Sequence, residues 1–301
     1  MQEVKQSPHP IRSVGVIGAG VMGAGVAQSL VQYGYRVTLV DHLATDIDGA
    51  RAAIRSNLRF QTMFGQSKGT PAAPAAPAVP GPSGFDWSLL GSALELEAVA
   101  DCDFIIENVT EDWAVKQPVY AQLDRLCAQH TIFAANTSAI PITRIGGATG
   151  RADRVVGIHF MNPVPQKPLV ELIKGFHTSA ETIDTTAAFL ASFDKRHVLV
   201  NDASGFISNR VLMLTINEAI FLVHEGTSNA RDIDLLFKGC FGHAMGPLET
   251  GDLIGLDTIL QSLEVLLDAY NDPKFRPCPL LRKMVDAGLY GKKSGRGFYD
   301  Y

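Results

Sequence analysis

The chain has 301 residues, 46% of them hydrophobic, enough for one large domain or two of ordinary size. Its formal charge is −5, from 26 basic and 31 acidic residues, which disfavours a nucleic-acid partner because such a partner needs a basic face. No apolar run is long enough for a membrane span, and residues 1–10 are too polar and short for a secretory leader. Cys102, Cys127, Cys240 and Cys278 are far apart and form no CxxC, so buried free thiols in a reducing cytoplasm are expected, and no metal site.

Residues 1–11 read as a frayed tail. An apolar strand over 14–17 then runs into Gly18-Ala19-Gly20-Val21-Met22-Gly23, followed by apolar residues at helical spacing up to Val31. Gly34 ends that helix, and a second strand over 35–40 ends in Asp41, 23 positions beyond Gly18. Strand, glycine turn, helix, strand and terminal acid together predict dinucleotide binding. Gly18 permits the tight turn, Gly20 lets a pyrophosphate approach, and Gly23 allows close packing of helix on strand. The helix N-terminus offers N–H groups and partial positive charge to the phosphates. Asp41 accepts hydrogen bonds from the adenosine ribose and would repel a 2′-phosphate, which favours NAD over NADP.

A helix is predicted over 45–62, with Arg51, Arg55 and Arg59 spaced i, i+4, i+8 in one basic stripe. Residues 65–84 hold five prolines and little aliphatic material, and predict a mobile surface loop. Regular structure resumes over 89–99. Strands follow at 103–107, 131–135, 155–160 and 169–174, with a helix carrying Lys116 and Leu123 after the first of them. Alternation of this kind predicts an α/β fold with a doubly wound, mostly parallel sheet, whose ligands gather at the carboxyl ends of the strands. Ser138 and His159 both sit at such ends. Beyond about residue 201 the pattern is helical, with long helices over 206–222 and 256–270 and a glycine-punctuated tail over 288–301. A Rossmann domain over 12–200 and an all-α domain over 201–301 are expected.

A dinucleotide domain needs a partner group to handle a proton when hydride moves. His159 and Glu171, twelve positions apart, fit a base oriented and stabilised by an acid. Taken alone, the same pair also reads as a loop histidine and a strand-edge glutamate. Ser138 reads either as a helix N-cap ahead of Pro141 or as a partner of the reacting oxygen. Asn209 alone is a polar helix-face residue. The arginine stripe reads as a solvated face or as a grip on phosphate or an acidic partner.

Larger motifs weigh on these alternatives. Asn136-Thr137-Ser138, Gly157-Ile158-His159-Phe160-Met161-Asn162-Pro163, Leu169-Val170-Glu171-Leu172-Ile173, Gly205-Phe206-Ile207-Ser208-Asn209-Arg210, Met245-Gly246-Pro247-Leu248-Glu249 and the glycine-rich tail follow in one order. From about residue 12 to 301 the chain resembles the 3-hydroxyacyl-CoA dehydrogenase family. The resemblance implies NAD-dependent, reversible oxidation of a 3-hydroxyacyl thioester at C3. It implies His159 as base, Glu171 as its partner, Ser138 on the reacting oxygen and Asn209 holding substrate and histidine. On the cofactor side it implies Gly18, Gly20, Val21, Met22, Gly23, Asp41, Glu107, Lys116 and Asn136. It further implies a helical hairpin inserted after the second strand and a homodimer made through the helical domain.

One stretch departs from the family pattern. Where relatives that use CoA carry a lysine-rich helix end, this chain has Arg59-Phe60-Gln61-Thr62-Met63-Phe64, then the proline-rich stretch with Lys68 as its ammonium. Arg51, Arg55, Arg59 and Lys68 are therefore candidates for binding the substrate's carrier, either CoA or the acidic surface of an acyl carrier protein, as in relatives that make polyketide extender units. A non-catalytic, crystallin-like relative and a dehydrogenase of free hydroxy acids are the alternatives from other classes. NADH formation with the CoA thioester, the carrier-bound thioester and the free acid separates them.

Overall fold

The computed structural model describes residues 10–63 and 84–301. Two units are distinguished, residues 1–202 and 203–301.

The first unit is built on one eight-stranded sheet. It opens with β1 (Ser13–Ile17), α1 (Val21–Gln32), β2 (Arg36–Val40) and α2 (Ala44–Met63). After a 3-10 turn come β3 (Leu90–Ala93), β4 (Phe104–Glu107), α3 (Trp113–Leu126), β5 (Ile132–Ala135) and α4 (Ile142–Gly146). The unit closes with β6 (Val155–His159), β7 (Leu169–Lys174), α5 (Ala180–Ser192) and β8 (Arg196–Asn201). The strand order is β3-β2-β1-β4-β5-β6-β7-β8, and every ladder is parallel except β6 with β7. Strands β4, β5 and β6 are buried along their whole length, as expected of parallel strands covered on both faces. That is why they read as unbroken apolar runs. The order reverses at β1, between β2 and β4, and leaves a crevice at the carboxyl ends of β1 and β4.

The unit's main core lies between α1, α2, α5 and the sheet, and includes Leu30, Val26, Ile54, Phe104, Phe189 and Phe193. Helix α2 presents Ile47, Ala50 and Ile54 inward at helical spacing. Of the expected hairpin, α2 is described; Lys68 lies outside the described residues. Most of the 65–84 stretch, and the tail over 1–9, lie outside them too.

The second unit is helical: α6 (Ser208–His224), α7 (Ala230–Phe241), α8 (Pro247–Ile254), α9 (Leu256–Tyr270) and α10 (Pro279–Asp286). Its own core joins Ile216, Ile220, Leu248, Leu256, Ile259, Leu263 and Leu281. The long helix expected from residue 206 begins later, because Phe206 takes a left-handed φ of 48° and cannot belong to a right-handed helix. Asp252 is fully buried and accepts hydrogen bonds from the Phe298 and Tyr299 amides at 3.0 Å, which ties the glycine-punctuated tail to α8. Cys102, Cys127 and Cys278 are buried. Cys240 is exposed near the end of α7 and corrects the expectation of four buried thiols, since α7 turns that position outward. Among the described residues no helix is long and apolar enough to cross a membrane.

Candidate active site

The glycine turn follows β1 into α1. Gly18 has φ of 91°, and a Cβ there would stand 2.8 Å from the Asn108 backbone. Gly23 packs so tightly that its Cβ would lie 1.8 Å from the Gly18 carbonyl oxygen. A Cβ on Gly20 would meet nothing within 4 Å, so the backbone at the N-terminus of α1 is open to an incoming group. Val21 is 73% exposed beside it, and Met22 is half-buried. Asp41 Oδ2 accepts from the Ala19 amide at 2.7 Å, and its Oδ1 lies 3.0 Å from His42 Nδ1. Asp41 therefore holds the glycine turn directly. An open anion cradle with a carboxylate at the next strand's end fits an NAD molecule by its pyrophosphate and ribose.

A line of hydrogen bonds runs from this turn across the strand ends. The Asn108 amide donates to the Ile17 carbonyl at 2.7 Å, and Asn136 Nδ2 donates to Asn108 Oδ1 at 2.8 Å. Asn136 Oδ1 in turn accepts from the Phe160 amide at 3.2 Å. Phe160 follows His159 directly. Asn136 thus links the ends of β4, β5 and β6.

His159 pairs in register with Glu171 across the antiparallel β6–β7 ladder. Directly opposed side chains on one face of such a ladder are near neighbours. Glu171 Oε2 lies 2.7 Å from His159 Nδ1, and both residues are buried. An ionised carboxylate only accepts, so beside one a neutral imidazole carries its proton on Nδ1 and its lone pair on Nε2. His159 Nε2 lies 3.0 Å from Ser138 Oγ. Ser138, His159 and Glu171 are thus one hydrogen-bonded line at the carboxyl ends of β5 and β6. Asn209 belongs to the second unit, half-buried in the first turn of α6.

Ser138 is not a helix cap; Pro141 precedes α4 in that position. Its turn is held by Glu111, a residue that the sequence did not single out. Glu111 Oε1 accepts from the amides of Ser138 at 3.0 Å, Ala139 at 2.8 Å and Ile140 at 3.2 Å, and from the Thr137 hydroxyl. No spacing announces such a contact, because it joins a side chain to main chain far along the sequence.

Glu107 and Lys116 stand elsewhere than on an open cofactor face. Both are fully buried, and Lys116 Nζ donates to the two Glu107 carboxylate oxygens at 2.7 and 2.9 Å. Lys116 also donates to the Val109 carbonyl at 3.2 Å, and Glu107 accepts from the Val109 amide at 2.6 Å. Burial pushes the Glu107 carboxyl above its ordinary range, against the pull of Lys116 and of that amide. The pair clamps the loop between β4 and α3 from inside.

The arginine stripe is partly occupied. Arg51 donates to the Leu90 carbonyl at 3.1 Å and the Ser92 hydroxyl at 3.3 Å, which fastens β3 to α2. Arg55 lies over the Trp87 ring at 5.1 Å, and Arg59 is exposed.

Comparison with known proteins bears on this arrangement. Residues 13–203 match the model of the 3-hydroxyacyl-CoA dehydrogenase NAD binding domain, and residues 205–301 match the C-terminal domain of the same family. A probable 3-hydroxybutyryl-CoA dehydrogenase of Bacillus subtilis is 44% identical over 97% of this chain and 98% of its own. The crystal structure of FadB2 from M. tuberculosis superposes with a TM-score of 0.88 at 35% identity, covering 97% of this chain and 100% of that one. The (S)-3-hydroxybutyryl-CoA dehydrogenase PaaH1 of Ralstonia eutropha gives 0.86 at 35% identity, over 97% and 99% of the two chains. With both halves of the chain matched in order and the glycine turn open at the head of the sheet, the protein belongs to the 3-hydroxyacyl-CoA dehydrogenase family of NAD-dependent oxidoreductases.

Proposed function

We propose that this enzyme oxidises a short (S)-3-hydroxyacyl-CoA, of the 3-hydroxybutyryl type, at C3 with NAD, and that His159 is the base. The observation that carries this reading is the Glu171–His159–Ser138 line, in which Nε2 of His159 faces the Ser138 hydroxyl. NAD, when bound, accepts the hydride. The C3 hydroxyl loses its proton to His159 Nε2 as that hydride departs, so the base and the nicotinamide must flank one carbon. Glu171 stabilises the imidazolium that forms. Ser138 Oγ, held by the Glu111-tied turn, bonds the C3 oxygen and fixes its place against the ring. Asn209 is assigned to the substrate from its motif.

The names of the relatives favour CoA as the carrier. So does the engagement of Arg51 and Arg55 within the fold, which leaves less of the stripe for an acidic carrier protein. The assay is NADH formation with 3-hydroxybutyryl-CoA, the same acyl group on an acyl carrier protein, and free 3-hydroxybutyrate. The CoA thioester is expected to give a kcat/KM at least about tenfold above the other two. A preference for the carrier-bound form replaces the CoA reading, and a preference for the free acid removes the thioester from it.

Asp41→Ala is expected to weaken NAD binding about tenfold and NADP binding less, because the lost carboxylate attracts the ribose hydroxyls but repels a 2′-phosphate. Equal losses for the two cofactors would mean that Asp41 acts through the Ala19 amide alone.

The helical unit is assigned the pairing of two copies. Support comes from its exposed apolar side chains: Val211 at 61%, Leu235 at 62%, Leu236 at 51% and Phe241 at 61% exposure, three of them on α7.

A further inference from the structure

The strand register sets the distance between His159 and Glu171, but the chain between them, residues 160–168, is long and irregular apart from one 3-10 turn at Val164–Gln166. A buried cation holds that connection. Lys195 Nζ donates to the Val164 carbonyl at 2.6 Å and to the Lys167 carbonyl at 2.9 Å. Lys195 is 5% exposed and lies between α5 and β8. The preceding Asp194 takes a left-handed φ of 58°, which sets the turn that carries the ammonium inward. The next residue adds a third tie, from the Arg196 amide to the Pro168 carbonyl at 2.7 Å. On its other side the connection rests on α1, where a Cβ on Gly25 would stand 3.1 Å from Val164 Cβ. The same loop therefore touches the helix that follows the glycine turn and joins the two members of the acid–base pair. Charge-assisted hydrogen bonds are the stronger kind, and small displacements of a base are costly in rate.

We infer that Lys195 is a positioning residue for the His159–Glu171 pair, acting through the two carbonyls of the loop that connects them. The inference rests on the reading of His159 as base. Burial lowers the Lys195 ammonium to about 8, against the opposing pull of Asp194, so the site keeps a charge there at a cost.

The test is steady-state oxidation of 3-hydroxybutyryl-CoA by Lys195→Met, with His159→Gln measured alongside. Lys195→Met is expected to lower kcat about tenfold while KM for NAD stays within about twofold. A role in stability alone lowers the amount of folded enzyme and leaves kcat per folded molecule unchanged. A folded Lys195→Met enzyme with wild-type kcat overturns the inference while His159→Gln is inactive. Full turnover in His159→Gln overturns the reading of the base, and this inference with it. If Lys195→Met is insoluble, Lys195→Gln, which is neutral but still a donor, is judged by the same two readouts. If neither variant folds, Lys195 is a stability residue and the inference fails.

Discussion

His159→Gln is expected to bind NADH as the wild type does and to turn over about 10³-fold more slowly, within the range that a positioned general base contributes. Glutamine can still hydrogen-bond Glu171, so the strand pair keeps its polar partner and the fold is not at issue. What disappears is the basic lone pair of Nε2, which lies 3.0 Å from Ser138 Oγ. Fluorescence titration with NADH and turnover of 3-hydroxybutyryl-CoA together decide the matter. Retained turnover removes His159 from the chemistry. Lost NADH affinity would instead mean that the substitution disturbs the line of hydrogen bonds through Phe160 and Asn136 to the glycine turn.

Lys116→Met is expected to cost about 3–5 kcal/mol, which lowers Tm by roughly 10 °C, because it strands the fully buried Glu107 carboxylate without its cation. The loss depends on pH. Glu107 already sits above its ordinary range, and without Lys116 it rises further. A carboxyl whose folded pKa exceeds its unfolded one favours folding when protonated, and that advantage is lost as pH rises through the folded value. Lys116→Met should therefore be less destabilised at pH 5 than at pH 8. Adding Glu107→Leu should recover part of the stability, since two apolar residues remove the unpaired charge. A Tm unchanged by Lys116→Met would contradict the clamp.

Much of the sheet was legible because strands covered on both faces are written as apolar runs. Val14, Val16 and Ile17 in β1, Phe104 to Ile106 in β4 and Phe133 to Ala135 in β5 are all buried. The Glu171–His159 contact was within reach of the sequence because a period-two ladder brings opposed residues together. Strand β8 escaped notice because its apolar run, Val198 to Val200, is short; in the fold Val198 and Leu199 are exposed, at 41% and 52%. Helix α5 escaped for a different reason. Thr182, Thr185 and Thr186 lower its helix propensity, and it forms because its buried face packs on the sheet. Glu111, Arg51 and Lys195 act on carbonyls or amides far from them in sequence, and such contacts leave no spacing to read. Glu107 was visible as an acid at a strand end, but its burial was not.

The thiols differ in a way that has a practical use. Burial pushes Cys102 up to about 12 and Cys127 to about 11, and Cys278 is also enclosed and raised. A maleimide dye offered to the native protein at neutral pH therefore has one ready target, Cys240. That sulfur sits on the helix bearing Leu235, Leu236 and Phe241, so its labelling slows wherever a second copy covers the face assigned to self-association, and the rate reports that pairing.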